Sequence, residues 1–510
     1  MLSKVYSGAI VGLEGMIVEV EVDLAPGIQS LSLVGLGDKA IAESKERLAA
    51  AIKNSGLRPP QQLNRRIIMN LAPADLKKEG SLYDLALAIG YLAASEQLAC
   101  ARDLGRMFFI GELALDGTVR PVDGVLPLAI EAKNKGFGTV VVPQQNGSEA
   151  SCIAGLEVVG VGTLRNAIDM IEGRSIPPTA TLAEAIPPAP ASGTDFSSIR
   201  GQENAKRTLE IAAAGGHHVL LTGTPGGGKT LLAEALPTIL PPLNTEEAIE
   251  VTKIWSVAGL LPRGQGLRRE RPFRAPHHTA SGIALVGGGT SPRPGEITLA
   301  HRGVLFLDEF PEFQRDVLEN LRQPLEQGAI TISRAQGSIT FPARFQLIAA
   351  MNPCPCGFAG DPQRRCTCPQ HTVERYQKKI SGPILDRIDI HLEVPAVDYE
   401  KLIESVPAET SAAVRARVLT ARRIQEERFY GTGIPTNAEI RHTDIERFIP
   451  LDESGRRTMR ALVQTHRLSA RAFHRILKVA RTIADLAGVA SVGPDHLLQA
   501  AQLRPKAENP

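Results

Sequence analysis

The run Gly223-Thr224-Pro225-Gly226-Gly227-Gly228-Lys229-Thr230 constrains this chain more than any other stretch. It follows an apolar segment, His218 to Thr222, and opens onto Leu231-Leu-Ala-Glu-Ala-Leu236, so a strand, a glycine-rich turn and a helix come in that order. Glycines let backbone N–H groups converge on one concavity, and the helix N-terminus adds partial positive charge, which makes a cradle for phosphate. In such a cradle Lys229 reaches the β- and γ-phosphates of ATP, and the Thr230 hydroxyl ligates Mg2+. The plain alternative is a glycine-rich turn with no ligand, and the full spacing in a strand-loop-helix context argues against it.

A cradle of this kind needs acidic partners. Val304-Leu-Phe-Leu307 is wholly apolar and reads as a buried parallel strand, with Asp308 and Glu309 at the C-terminal end, where α/β sheets gather their ligands. Asp308 would hold Mg2+ through its water shell, and Glu309 would orient and deprotonate the attacking water, since phosphoryl transfer is mostly positioning and charge stabilisation. The alternative for each acid is a solvated strand end.

The chain has 510 residues, 43% hydrophobic and 22% charged, which predicts two to four domains with real cores. A net charge of +2 does not by itself point to a partner. No apolar run approaches the ~18 residues of a membrane span, and Met1-Leu-Ser-Lys-Val-Tyr-Ser7 lacks a signal-peptide pattern, so the expectation is a cytoplasmic protein with no membrane partner. Six cysteines in so long a chain do not make a disulfide scaffold.

Composition changes at 174–194, where Pro, Ala and Thr crowd together without aromatic residues; this reads as a semi-rigid linker between a domain at 1–173 and one at 195–396. From about 196 to 395 the chain resembles an AAA+ module of the magnesium-chelatase and MCM-type branch. The resemblance rests on the phosphate loop, on His277-His278 within Phe273 to Ser281, on Leu285 to Thr290, on Pro294-Gly-Glu-Ile297, and on Ala300 to Phe310. About 80 residues separate Lys229 from Asp308, more than one strand-helix-strand unit needs, so an insertion lies between them.

By that resemblance Ile199 and Gly201 pack against the adenine, and Asn352, after the apolar strand Phe345 to Met351, is the first sensor, bonding the attacking water or the γ-phosphate. Arg387 matches the arginine finger supplied to a neighbouring subunit, which would tie hydrolysis to ring assembly. Its alternative is a salt bridge to Asp386 or Asp389. The stretch after 397 turns to amphipathic helices, with Val414, Val418 and Ile424 on one side of Ser411 to Phe429, and reads as a helical lid domain running to 510. Within it Arg471 resembles the second sensor, whereas Arg475 reads as a solvated face residue.

Cys354-Pro-Cys356 and Cys366-Thr-Cys368 bring four thiolates into one short stretch, enough for one tetrahedral Zn2+, with His371 a substitute ligand. Free thiols and regulatory disulfides are the alternatives. The placement suggests a structural knuckle bracing a subunit interface.

In the N-terminal part, Phe108 to Gly124 and Gly138 to Pro143 resemble a Lon-protease-type α+β fold. The position of the nucleophile falls on Leu82, one place from Ser81, and that of the dyad lysine falls on Leu126; a leucine can neither attack nor deprotonate.

The three parts together resemble the ComM/YifB family over essentially the whole chain. That resemblance implies a hexameric ring helicase acting on single-stranded or branched DNA, driving branch migration during natural transformation alongside other recombination proteins. The alternative is a chelatase-type motor that remodels a partner protein for metal insertion into a tetrapyrrole. Residues 329–341 alternate in polarity around Arg334-Ala-Gln-Gly337 and read as a β-hairpin. In related motors such a hairpin enters the ring channel, which would put Arg334 on a DNA phosphate; the glycine-rich loop ending at Arg293 would be a second channel loop. Arg263, Arg268, Arg269, Arg271 and Arg274 form a basic stripe that either neutralises phosphates or is a surface or interface loop.

Overall fold

The computed structural model describes every residue except 36–38, 77, 79, 176–193, 290–291, 335–336, 362–363, 397–407 and 505–510, and no side chain at 39–42, 334 or 337. Most of the linker expected at 174–194 therefore lies outside the described residues. The chain divides into two compact units, Met1–Pro187 with Thr245–Arg268, and Pro188–Asn244 with Arg269–Pro510. No helix among the described residues is long and apolar enough to cross a membrane.

The first unit is built on β1 (Leu2–Val11), β2 (Glu14–Pro26), β3 (Ser30–Val34), β4 (Arg65–Ala72), β5 (Met107–Phe109), a short hairpin of β6 (Glu112–Leu113) and β7 (Val119–Arg120), β8 (Thr139–Pro143) and β9 (Glu157–Val161). Seven of these make one sheet in the order β3-β4-β2-β1-β5-β8-β9. The antiparallel pairs β1/β2 and β2/β4 give way to parallel pairing from β1 through β5 and β8 to β9. β2 buries alternate residues, as a strand with one covered face does, while the five residues of β8 are all buried. Helices Asp84–Ala94 and Val125–Asn134 pack on β1 and β2. Leu82 and Leu126 lie in this core, and the Ser81 hydroxyl donates to Glu112 while the buried Lys78 ammonium donates to the carbonyl of Pro73.

The stretch 245–268, which the sequence boundaries put inside the domain at 195–396, belongs to the first unit. Its helix, Thr245–Val257, buries Ala248, Val251 and Ile254. The Ser256 hydroxyl donates to the buried carboxylate of Glu149, which also accepts from the N–H of Leu126 at 2.8 Å and from Asn146 Nδ2 at 3.0 Å. Arg263 holds Asp123 at 2.8 Å, and Lys253 holds Glu14 at 2.7 Å.

The second unit contains β10 (Val219–Gly223), β11 (Phe273–Arg274), a two-stranded ribbon of β12 (Gly287–Gly288) and β13 (Arg293–Pro294), β14 (Val304–Leu307), β15 (Ala329–Arg334), β16 (Gly337–Pro342), β17 (Gln346–Met351) and β18 (Ile390–Val394). Its sheet runs β11-β14-β17-β10-β18, parallel throughout. The strands are short and almost wholly apolar, as burial on both faces requires. The expected hairpin is present, with β15 and β16 paired from Ala329↔Pro342 to Arg334↔Gly337.

Beyond the sheet lie helices Ser411–Arg428, Glu453–His466, Ala470–Leu486 and Pro494–Gln502. The first buries Val414, Val418, Ala421 and Gln425, and the inward place expected of Ile424 goes to Gln425. Gln425 can occupy it because its amide is satisfied there, donating to the carbonyl of Ala214 at 2.9 Å and accepting from the N–H of Asn437 at 2.9 Å. A polar chain crosses the same interior: His217 bridges Asp389 (3.2 Å) and Thr482 (2.8 Å), and Asn437 links Thr482 to Asp485, which also takes Arg428 and Arg481. Arg475, expected on a solvated face, instead gives its guanidinium to Asp389. The reason is electrostatic, since a buried carboxylate needs a charged partner.

Candidate functional site

The C-terminal ends of three adjacent strands, β10, β14 and β17, carry the phosphate loop, the Asp308-Glu309 pair and Asn352. Gly226 (φ +79) and Gly228 (φ +84) take left-handed conformations in the loop, which bring their N–H groups round to the cradle. A Cβ on Gly223 would stand 2.1 Å from the carbonyl oxygen of Val394, so only glycine fits where β18 ends. Ile199 is buried, and Gln202 reaches the carbonyl of Gly227 at 3.3 Å from the same segment.

Lys229 Nζ donates to the carbonyls of Gly223 (2.7 Å) and Thr224 (2.9 Å) and to Asn352 Oδ1 (3.1 Å). Lys229 and Asn352, expected to share the nucleotide, are thus brought together. Burial lowers the Lys229 ammonium below the ordinary lysine value, and the Asp308 charge opposes the shift. Thr230 Oγ1 donates to Asp308 Oδ2 at 3.0 Å, which places a hydroxyl and a carboxylate side by side as Mg2+ requires. Asp308 is oriented from its other side by the N–H of Glu309 at 2.8 Å. The hydroxyl of Thr224 is buried with no hydrogen-bond partner, a donor left over for a phosphate oxygen. These residues fit MgATP.

Glu309 sits at φ +50, a left-handed backbone for a non-glycine residue at the turn that ends β14. Its carboxylate is met by Nδ1 of His278 at 2.9 Å, with the His277 ring 4.2 Å from that of His278. The sequence shows the histidine pair as part of a family pattern; only the fold puts His278 on Glu309.

Arg387 does not pair with Asp386 or Asp389. Its guanidinium goes to Glu326 and to the carbonyl of Pro383, and its Nε is buried without a partner. Asp386 takes Arg471 instead, at 3.5 Å, so Arg471 lies beside the segment that carries Arg387. Burial and then the neighbouring charges of Arg471, Arg322 and Arg475 lower the affinity of Arg387 for its proton. Each of these guanidiniums also has a carboxylate beside it: Glu326 at Arg387, Asp386 at Arg471, Glu319 at Arg322 and Asp389 at Arg475.

The four cysteine sulfurs lie within 4.8 Å of one another, and Sγ of Cys354 is 3.3 Å from Cys356 and 3.7 Å from Cys366, with 3.6 Å between Cys356 and Cys366. A tetrahedron of sulfurs at ~2.3 Å from zinc has edges of roughly 3.8 Å, so this cluster fits the ion. The N–H groups of Thr367 and Phe358 pull the Cys356 thiol down to about 5, while burial and the neighbouring sulfurs push Cys366 and Cys368 up, so the four thiols share a single easily formed thiolate and the case for a metal rests on their spacing. His371 is not part of the group.

Arg334 is the last residue of β15, and Arg293, on β13, is exposed. The arginine stripe at 263–274 is divided between the units: Arg263 and Arg268 belong to the first, Arg269, Arg271 and Arg274 to the second. Arg268 lies over the Trp255 ring, Arg271 donates to the carbonyls of Pro241 and Arg302, and Arg274 is held by Glu296.

The profile of magnesium chelatase subunit ChlI matches residues 195–402, that of subunit ChlI of Mg-chelatase matches 20–146, and that of the ChlI C-terminal region matches 408–504. Competence protein ComM of Haemophilus influenzae is 45% identical over 509 residues, 99% of this chain and 97% of its own. The uncharacterized protein YifB of Escherichia coli is 43% identical over 504 residues, again 99% and 97%. A Lon protease of Mycolicibacterium smegmatis is 29% identical over 143 residues, 27% of this chain and 18% of its own. With a parallel P-loop sheet, a helical lid and this similarity along its full length, the chain belongs to the ComM/YifB family of magnesium-chelatase-like AAA+ proteins.

Proposed function

We propose that this protein is a ring ATPase that moves on DNA, a hexameric helicase that drives branch migration of single-stranded or branched DNA during recombination. The observation that carries the reading is the β15–β16 hairpin, which comes directly before β17, the strand that Asn352 follows. A shift of Asn352 at the γ-phosphate can be passed along β17 to the hairpin, turning hydrolysis into movement of Arg334 against a phosphate. Arg293, on the glycine-rich ribbon, gives a second phosphate contact. The relative named for competence supports a role in natural transformation, with recombination proteins as partners. Lys229, Thr230, Asp308, Glu309 and Asn352 serve MgATP in one subunit, and Arg387 and Arg471 complete the charge around it in the ring. Cys354, Cys356, Cys366 and Cys368 hold one structural zinc.

A phosphate contact carries no base information, so Arg334→Ala should weaken DNA binding about equally across sequences and flatten its salt dependence by roughly one contact per engaged subunit. DNA-stimulated ATPase and unwinding should fall while basal ATPase persists. Wild-type unwinding of forked DNA over a range of salt would remove the hairpin from the DNA path, and failure of any DNA to stimulate turnover would overturn the reading as a whole.

A further inference from the structure

The cysteine cluster begins two residues after Asn352, whose side chain receives Lys229. Cys354 is fully buried; its carbonyl accepts from the N–H of Gly357 at 2.9 Å, and its sulfur accepts from the N–H of Ala359 at 3.3 Å. This tight turn sets Gly357, at φ +87, directly against Pro225 of the phosphate loop. A Cβ on Gly357 would stand 2.6 Å from both Cγ and Cδ of that proline, closer than any side chain tolerates. The knuckle therefore meets the phosphate loop of its own chain twice, through Asn352 on Lys229 and through Gly357 on Pro225.

We propose that the four-cysteine knuckle is a metal-dependent wall of the phosphate loop, so that zinc loading sets how tightly this protein holds nucleotide. The proposal rests on reading 223–230 as a nucleotide cradle. A metal bound by Cys354, Cys356, Cys366 and Cys368 ties the turn, through the two cysteines that precede Gly357, to the later pair and holds Gly357 in place. A wall at Pro225 restricts the backbone from Pro225 to Gly228, whose glycines are the costliest residues to order. A loop ordered in advance loses less freedom when phosphate binds. Without the cross-link the turn relaxes, and that entropy is lost again at each binding event.

The test uses the full-length protein and a fluorescent ATP analogue in Mg2+ buffer, with zinc content measured beside the dissociation constant. Stripping zinc and returning the protein to Mg2+ should weaken binding roughly tenfold, the cost of re-ordering about one loop residue, and added Zn2+ should restore it. Gly357→Ala should weaken binding to a similar degree while keeping one zinc per chain, and stripping it should add little. Pro225→Ala removes the ring that the wall touches and leaves every cysteine in place, so its affinity should no longer respond to zinc. Unchanged affinity in the stripped wild type, a full zinc response in Pro225→Ala, or a wild-type chain that binds no zinc overturns the proposal. Lys229→Ala keeps the two readings apart: if the zinc-loaded wild type binds nucleotide and Lys229→Ala does not, the cradle stands and the wall alone is judged.

Discussion

Nδ1 of His278 stands 2.9 Å from Oε2 of Glu309, so the carboxylate that would activate water is already occupied by a donor. An exposed pair of this kind is worth about 0.2–1 kcal/mol. If that bond restrains Glu309, His278→Ala should raise basal ATP turnover on the order of 1.5- to 5-fold and shrink the stimulation by DNA. His278→Asn, which keeps a donor, should behave as the wild type. Basal and stimulated rates unchanged in His278→Ala would show that the contact is incidental.

The function proposed above gives Lys229 and Glu309 separable roles. Lys229→Ala removes the contact to phosphate and should abolish nucleotide binding, whereas Glu309→Gln keeps the shape, binds ATP and loses the base, with turnover down by roughly 10²–10⁴. Equilibrium binding and single-turnover hydrolysis on the same preparations separate the two, and undiminished turnover in Glu309→Gln would sink its assignment.

Arg387 is paired with Glu326, yet its Nε is buried without a partner and the charges of Arg471, Arg322 and Arg475 lie near it, so an incoming anion would find a donor still unused. If that anion is the nucleotide of a neighbouring subunit, mixing Arg387→Ala with Lys229→Ala chains should recover ATPase at interfaces that pair an intact loop with an intact finger. No recovery at any ratio, with mixed rings shown to form, would make the arginine a structural group of its own chain.

His218 and His391 are both lowered to about 4, in each case mainly by burial, and His218 accepts the N–H of Leu347 on Nδ1, which fixes it neutral. Well above pH ~6.5, by about pH 8, neither residue is charged in the folded or the unfolded chain, so they contribute no pH dependence there. As pH falls from ~6.5 toward 4 the unfolded chain takes up protons that the folded one refuses, and stability drops by at most roughly 1.4 kcal/mol per pH unit for each histidine. Asp389 runs the other way in origin but adds to the same acid loss: although burial alone would raise it, Arg475 and His217 hold its carboxyl far below the usual range, so its stabilisation is present above ~4 and fades below that. Denaturant melts between pH 7 and 4.5 should show the slope, and His218→Asn, which can still accept from Leu347 but does not titrate, should flatten it; an equal slope in that variant refutes the assignment to His218.

Much of the candidate site is legible in the sequence because it is local. The loop from Gly223 to Thr230, the strand that ends in Asp308-Glu309 and the hairpin around Arg334 each carry their signal within about a dozen residues, and each occurs in the fold as an element of that type. What stayed hidden depends on partners far away in the chain. Arg475 reads as solvated because Asp389, its partner, lies 86 residues upstream, and no period in a helix reports a charge buried at the start of a distant strand. Gly357 reads as one more glycine in a cysteine-rich loop until Pro225 is set against it. The stretch 245–268 has an ordinary helical pattern, and nothing local says that its Ser256 will satisfy Glu149.

That stretch bears on how such a chain can change over generations. The first unit is not a bead on a single string: its polypeptide leaves at Pro187, returns at Thr245 and leaves again at Arg268, with the helix Lys229–Ile239 of the phosphate loop lying between the first departure and the return. A recombination event at the proline-rich joint alone would hand the second unit a new neighbour while keeping a helix whose Ser256 had been fitted to Glu149 of the old one. The inheritance of the two units is therefore tied, and a lineage that discards the first must also rewrite 24 residues in the middle of its motor or tolerate them uncovered.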